Sequence, residues 1–136
     1  MRYAEYPRAE RVLLHLSDTH LRAGGAPLYD DVDSEAYLAR AASAIEASGV
    51  RPDALVFTGD LADFGEADAY RRVRAIVEPL AERLRTRVVW VMGNHDDRAA
   101  FRTELLPAEA ADPAAPVDRV DELDGLRIVT LDTSVP

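Results

Sequence analysis

The chain is predicted to be an α/β domain built on a parallel sheet whose carboxyl edge carries a polar site. Short apolar stretches alternate with longer segments of helical periodicity, and a polar cluster follows each of the first three apolar stretches at once. Alternating strands and helices build parallel βαβ units with right-handed crossovers. At 136 residues and 48% hydrophobic content the chain can bury one sizeable core, so one domain over 1–136 is expected.

The first strand is Val12 to Leu16, too short for a helix and bounded by Ser17 and Asp18. After the loop at 24–27, Leu38, Ala41, Ala42 and Ile45 recur at helical spacing; Asp33 or Ser34 can cap this helix, and Gly49 ends it before Pro52. Ala54 to Thr58 is the second strand. The next helix, about Glu66 to Arg85, puts Tyr70, Val73, Val77, Leu80 and Leu84 on one face, and Pro79 inside it is expected to kink or divide it. The third strand, Val88 to Met92, runs into Gly93. A short helix near Arg98 to Leu105 and a Pro/Ala-rich surface loop from Pro107 to Pro116 follow. Val117 to Glu122 and Leu126 to Leu131 flank Asp124-Gly125, a hairpin signal.

Composition narrows the function classes. A formal net charge of −9 and a pI near 4.7 generate no field that attracts nucleic acid or an anionic membrane. Every basic side chain is Arg, which a GC-rich coding sequence explains better than an Arg-specific binding role. Without cysteine there are no disulfides or thiolate metal sites. Met1 to Glu10 has charges where a signal peptide needs an apolar core, and no apolar run reaches membrane-spanning length, so a cytoplasmic protein is the default expectation.

The chemistry lies in three clusters: Asp18-Thr19-His20, Gly59-Asp60 and Gly93-Asn94-His95-Asp96. Carboxyl ends of neighbouring parallel strands meet at one sheet edge, where open α/β folds bind ligands. In an extended segment Asp18 and His20 project to the same side and can reach one ion. A carboxylate with a neutral imidazole suits zinc, manganese or iron better than magnesium or calcium. Asp60 can offer one oxygen to each of two cations about 3.5–4 Å apart. Asn94 offers a neutral oxygen to the second cation, leaving His95 to act as an acid or to contact phosphate. Gly59 and Gly93 allow close backbone approach beside the ligands. Such a site carries out in-line attack on phosphorus by metal-bound hydroxide.

Taken singly, Asp-x-His and Gly-Asp are weak signals, and a loop or cap is the simpler role for either. Gly-Asn-His-Asp is expected by chance in roughly one chain in a thousand or fewer. Together with Leu16-Ser17-Asp18-Thr19-His20-Leu21 and Thr58-Gly59-Asp60-Leu61-Ala62-Asp63, it resembles the calcineurin-like metallophosphoesterases, in particular their bacterial class III cyclic nucleotide phosphodiesterase branch. The resemblance runs from Val12 to Pro136 and implies the first half of a four-layer αββα sandwich. It implies that Asp18 and His20 bind the first metal, Asp60 bridges, Asn94 binds the second, and His95 contacts phosphate and assists the leaving group. The metals so implied are two divalent or trivalent transition ions, Fe, Mn or Zn. The partner is a small-molecule phosphodiester, with cyclic nucleotides favoured over other phosphodiesters and monoesters.

One departure matters. The family completes its site with a later isolated His and a Gly-His-x-His motif, whereas this chain has only His15, His20 and His95. His15 is expected to be a core histidine or one that supports a ligand, turned away from Asp18 by strand alternation. Only Asp60 and Asn94 remain for the second ion, too few to hold a catalytic metal well. Truncation is the simplest account, and residues 1–136 alone are expected to be inactive, as a non-catalytic half-domain would be, and to self-associate, for instance as a homodimer that hides an uncovered face. Asp63, Asp96 and Asp97 read more readily as helix caps than as partners of ligand imidazoles. Asp30, Asp31 and Asp33 read as a solvated loop.

Overall fold

The computed structural model describes residues 9–106, 112 and 114–134. Most of the N-terminal segment and of the expected loop from Pro107 to Pro116 therefore lies outside the described residues. Along the chain run β1 (Leu13–Leu16), α1 (Ser34–Ala47), β2 (Ala54–Thr58), α2 (Ala67–Leu84), β3 (Arg87–Val91), α3 (Arg98–Leu105), β4 (Arg119–Leu123) and β5 (Leu126–Thr130). The first three strands form a parallel sheet in the order β1-β2-β3, and β4 pairs with β5 as an antiparallel hairpin. This is the α/β architecture the sequence predicts.

Register places the site. Leu16 stands beside Phe57, and Phe57 beside Trp90, so the three strands end nearly level. Their continuations, which carry Asp18, Asp60 and Asn94, leave the sheet at one edge. Leu14, Leu16, Leu55, Phe57, Val88 and Trp90 line the face that packs on Leu38 and Ala42 of α1 and on Tyr70, Val73 and Val77 of α2. Phe57 and Trp90 meet with ring centroids 5.0 Å apart. Burying side chains such as Leu55 and Phe57 contributes about 1.5–3 kcal/mol each, so the sheet edge is held by the strongest part of the core.

Capping follows local chemistry. The Asp33 side chain accepts from Ala36 N–H at 2.8 Å and starts α1, and Asp97 accepts from Ala100 N–H at 2.8 Å and starts α3. Two expectations need correction. Helix α2 runs undivided through Pro79, which is exposed, as is Ala75 four residues earlier. The carbonyl that loses its partner thus faces water, which satisfies it. His15 is not a core residue but is exposed, sharing a 2.5 Å hydrogen bond with Thr58 Oγ1. It lies with exposed Leu13 on the face of β1 opposite the helices.

The chain after the hairpin returns to α3. Arg98 Nε donates to Asp132 Oδ2 at 2.7 Å, and the same carboxylate accepts from Val117 N–H and from Ser134. Burial alone would raise the Asp132 pKa, yet the bonds from Arg98 and Ser134 and from backbone N–H groups hold it well below the ordinary value of 3.8. A depressed carboxyl stabilises the fold above its unfolded value, and the effect fades as pH falls through the folded value. Asp132→Asn is therefore expected to lower the melting temperature at pH 7, with the gap to the unmodified protein narrowing below about pH 4 in thermal melts across pH.

Candidate metal centre

The loop after β1 lies alongside the loop after β2. Asp18 N–H donates to Gly59 O at 3.1 Å, His20 N–H to Asp60 O at 2.9 Å and Leu21 N–H to Leu61 O at 2.9 Å. Asp18, His20 and Asp60 take left-handed backbone angles, with φ of 56°, 41° and 51°. The expected extended geometry of Asp18 and His20 is thus corrected. Their side chains converge because the backbone turns at each of them, at a cost of order 1–3 kcal/mol per residue that ligand sites commonly carry.

Gly59 and Gly93 let the β2 and β3 turns touch. A Cβ on Gly59 would stand 2.6 Å from Gly93 Cα, and one on Gly93 would stand 2.2 Å from Asp60 Oδ1. No side chain fits at either position without moving backbone or ligand. Close approach also brings His95 N–H to Asp60 Oδ1 at 3.0 Å, which orients that carboxylate. Asn94 is exposed between Gly93 and His95 on the turn so tied.

One oxygen each of Asp18 and Asp60 stands 3.9 Å from His20 Nε2, and one ligand atom from each of the three residues lies within 4.8 Å of the others. Donors on a tetrahedral ion at roughly 2.1 Å would be about 3.4 Å apart, so a closure of about half an ångström between His20 Nε2 and each carboxylate would bring those pairs to ligand spacing. The ring is already oriented for it. His20 Nδ1 lies 3.1 Å from Asp63 Oδ1; a carboxylate only accepts, so Nδ1 carries the proton and Nε2 presents its lone pair to Asp18 and Asp60. Two carboxylates and a neutral imidazole are a donor set that fits a transition ion.

Asp63 serves both imidazoles. Its carbonyl accepts from His95 Nδ1 at 2.8 Å, and the two rings meet edge to face with centroids 4.9 Å apart. Since a carbonyl only accepts, the proton His95 can exchange is on Nε2. That bond, together with the negative charges of Asp60, Asp63 and Asp96, raises the His95 pKa above its ordinary value of 6.5. His20, Asp63 and His95 are also close enough to hold an ion, but their inner atoms are spent on one another in hydrogen bonds, which favours a supporting role for Asp63.

The expected caps divide accordingly: Asp97 is one, whereas Asp63 and Asp96 are not. Asp96 is largely buried and accepts from Gly93 N–H at 2.9 Å, from Leu61 and Ala62 N–H at 3.1 Å each, and from the Tyr70 hydroxyl at 3.0 Å. Burial raises its pKa, against the pull of these donors. Sequence reading missed this role, because all the partners but Gly93 N–H lie 26 to 35 residues away.

A family model described as calcineurin-like phosphoesterase matches residues 11–133. The chain is 57% identical, over its whole length, to a probable cyclic nucleotide phosphodiesterase of Rhodococcus erythropolis, covering 44% of that protein. It is 56% identical to a cAMP/cGMP dual specificity phosphodiesterase of Mycobacterium tuberculosis, again over its whole length and covering 42% of it. The chain thus spans less than half the length of these curated relatives. Its fold is similar to that of a dimetal phosphatase from Danio rerio, with a TM-score of 0.58 and 18% identity, over 90% of this chain and 45% of the other. With the model matched across nearly all of its residues, the chain belongs to the calcineurin-like phosphoesterase family.

Proposed function

We propose that this chain carries the first half of the active site of a metal-dependent phosphodiesterase that acts on cyclic nucleotides or related small phosphodiesters. The observation that carries the reading is the meeting of Asp18, His20 and Asp60 around one point, and the names of the two most similar relatives reported above support the substrate class. Asp18 and His20 would hold one ion, Asp60 would bridge to a second, and Asn94 would bind that second ion. Fe, Mn and Zn all suit these donors. When bound, two such ions act as Lewis acids that activate water and withdraw charge from phosphate oxygens.

The protein's own residues supply orientation and a proton. Asp63 fixes the His20 tautomer, His95 N–H aligns the Asp60 carboxylate, and His95 Nε2 faces the task of protonating the departing oxygen. A cavity of about 330 Å³ opens beside Asp18, lined by Leu16, Leu28, Val32, Tyr37 and Leu38 among others. Its apolar walls suit the organic part of an ester rather than inorganic phosphate. No described helix is long and apolar enough to cross a membrane, and a cytoplasmic location remains part of this proposal.

A second reading, that the 136 residues act by binding alone, is favoured by the ligand count. Among the described residues, this reading gives the second ion Asp60 and Asn94 alone, too few to hold a catalytic metal well. Purified residues 1–136 are expected to show no appreciable hydrolysis of bis-p-nitrophenyl phosphate or cyclic AMP with Mn²⁺, while the full-length protein turns both over. Self-association of the short form is expected in sedimentation, since Leu13, Val120, Val129 and Leu131 are exposed. A monodisperse short form turning over at about 1 per second or faster would overturn this division, and a full-length protein inert towards both esters would overturn the proposed activity.

A further inference from the structure

Tyr70 sits among the apolar positions of α2, and its ring packs there. It is fully buried and meets Phe101 of α3 edge to face, with centroids 5.8 Å apart at 81°. A phenylalanine would fill the same space without carrying a hydroxyl into the core, where an unpartnered hydroxyl is destabilising. The hydroxyl here uses both of its capacities. It donates to Asp96 Oδ1 at 3.0 Å and accepts from Asp97 N–H at 2.9 Å.

Asp96 in turn accepts from Leu61, the residue after Asp60, and from Gly93, the residue before Asn94. One carboxylate therefore clasps the turns that carry the bridging ligand and the second-ion ligand. Three backbone N–H groups of those turns hold the carboxylate, and the Tyr70 hydroxyl, projecting from the helix that packs on the sheet, adds a donor from outside them.

We propose that Tyr70 is a positioning residue for the metal centre: its hydroxyl, acting through Asp96, sets the β2 and β3 turns at the separation that Asp60 and Asn94 need to share the second cation. The proposal rests on the metal-centre reading above. Without the hydroxyl, Asp96 Oδ1 keeps Leu61 and Ala62 N–H but loses its donor from α2, and Asp97 N–H loses its acceptor, so the turn between Gly93 and α3 loosens while the ring packing stays. Groups that orient metal ligands typically change metal affinity by about tenfold to a hundredfold when removed.

The test is calorimetric titration with Mn²⁺ of the full-length protein, its Tyr70→Phe variant and a Phe101→Leu control, with thermal melts of all three. Tyr70→Phe is expected to bind Mn²⁺ about tenfold to a hundredfold more weakly. Phe101→Leu loosens the same packing without touching the hydroxyl; it should melt earlier yet bind Mn²⁺ like the unmodified protein. Equal affinity in Tyr70→Phe and the unmodified protein would overturn the positioning role and leave the metal centre standing. A matching loss in Phe101→Leu, or a Tyr70→Phe protein that does not fold, would assign the hydroxyl to the fold and overturn it as well. No Mn²⁺ binding by the unmodified protein would overturn the metal-centre reading and this proposal together.

Discussion

If the proposed activity holds, replacing Asp60 by Ala in the full-length protein is expected to lower metal-dependent phosphodiester hydrolysis by at least about a thousandfold, because the proposed bridge asks a single carboxylate to serve two cations. Its two oxygens face different tasks: Oδ2 stands 3.9 Å from His20 Nε2, and Oδ1 accepts from His95 N–H. Alanine removes the shared anion and leaves the His95 N–H without its acceptor, so both ion affinities should fall along with turnover. Asp60→Asn separates the two effects. It keeps an oxygen for His95 N–H and much of the shape beside Gly93, but loses the charge that screens two cations from each other. Metal content and hydrolysis should therefore both fall in the Asn variant, with less loss of fold than in Ala. Hydrolysis of cyclic AMP and metal analysis of the same preparations check this, and near-normal turnover in either variant would remove Asp60 from the bridging role.

The second large effect is on stability. Asp96→Ala is expected to cost about 3–5 kcal/mol, because four donors lose one acceptor: Leu61, Ala62 and Gly93 N–H and the Tyr70 hydroxyl. A buried donor left without a partner costs about 1–3 kcal/mol. Simple addition gives more than the expected figure, but water entering the space left by the carboxylate would satisfy some of these groups. Against a typical domain stability of about 5–15 kcal/mol, such a loss is a large share. Chemical denaturation of the full-length variant measures it, and a change below about 1 kcal/mol would show that the clasp contributes little.

Much of the architecture was legible because local and global signals agreed. Apolar runs of four or five residues, interrupted by capped amphipathic helices, correspond to β1, β2 and β3 within a residue or so. That the turns carrying Asp18, Asp60 and Asn94 leave the sheet at one edge followed from strand direction alone. Less legible was how the ligands converge. Left-handed angles at Asp18, His20 and Asp60 have no compositional signature, since these are not glycines. The part played by Gly93 was legible in kind, as close approach, but its neighbour, the Asp60 carboxylate, was not.

The misreadings of Asp63, Asp96 and Tyr70 share one cause: contacts made across long sequence separations. Asp63 and Asp96 each begin or precede a helical segment, so capping was the economical reading, yet apart from Gly93 the partners of their side chains lie 26 to 43 residues away. Tyr70 fits an apolar stripe so well that its hydroxyl carried no signal. His15 follows strand alternation, but among the described residues β1 has a single neighbour in the sheet, β2, and on the face away from the helices His15 is left exposed. Pro79 was expected to kink or divide α2, and it does not divide it; sequence alone does not reveal that the orphaned carbonyl faces solvent.

The central claim, that Asp18, His20 and Asp60 form one metal centre, is tested most directly by anomalous diffraction at the manganese edge from crystals of the full-length protein grown with Mn²⁺. The account predicts a peak with Asp18, His20 Nε2 and Asp60 all at roughly 2.0–2.3 Å, and Asp63 still bonded to His20 Nδ1. A peak held by other residues, or none near these three at saturating Mn²⁺, would contradict it.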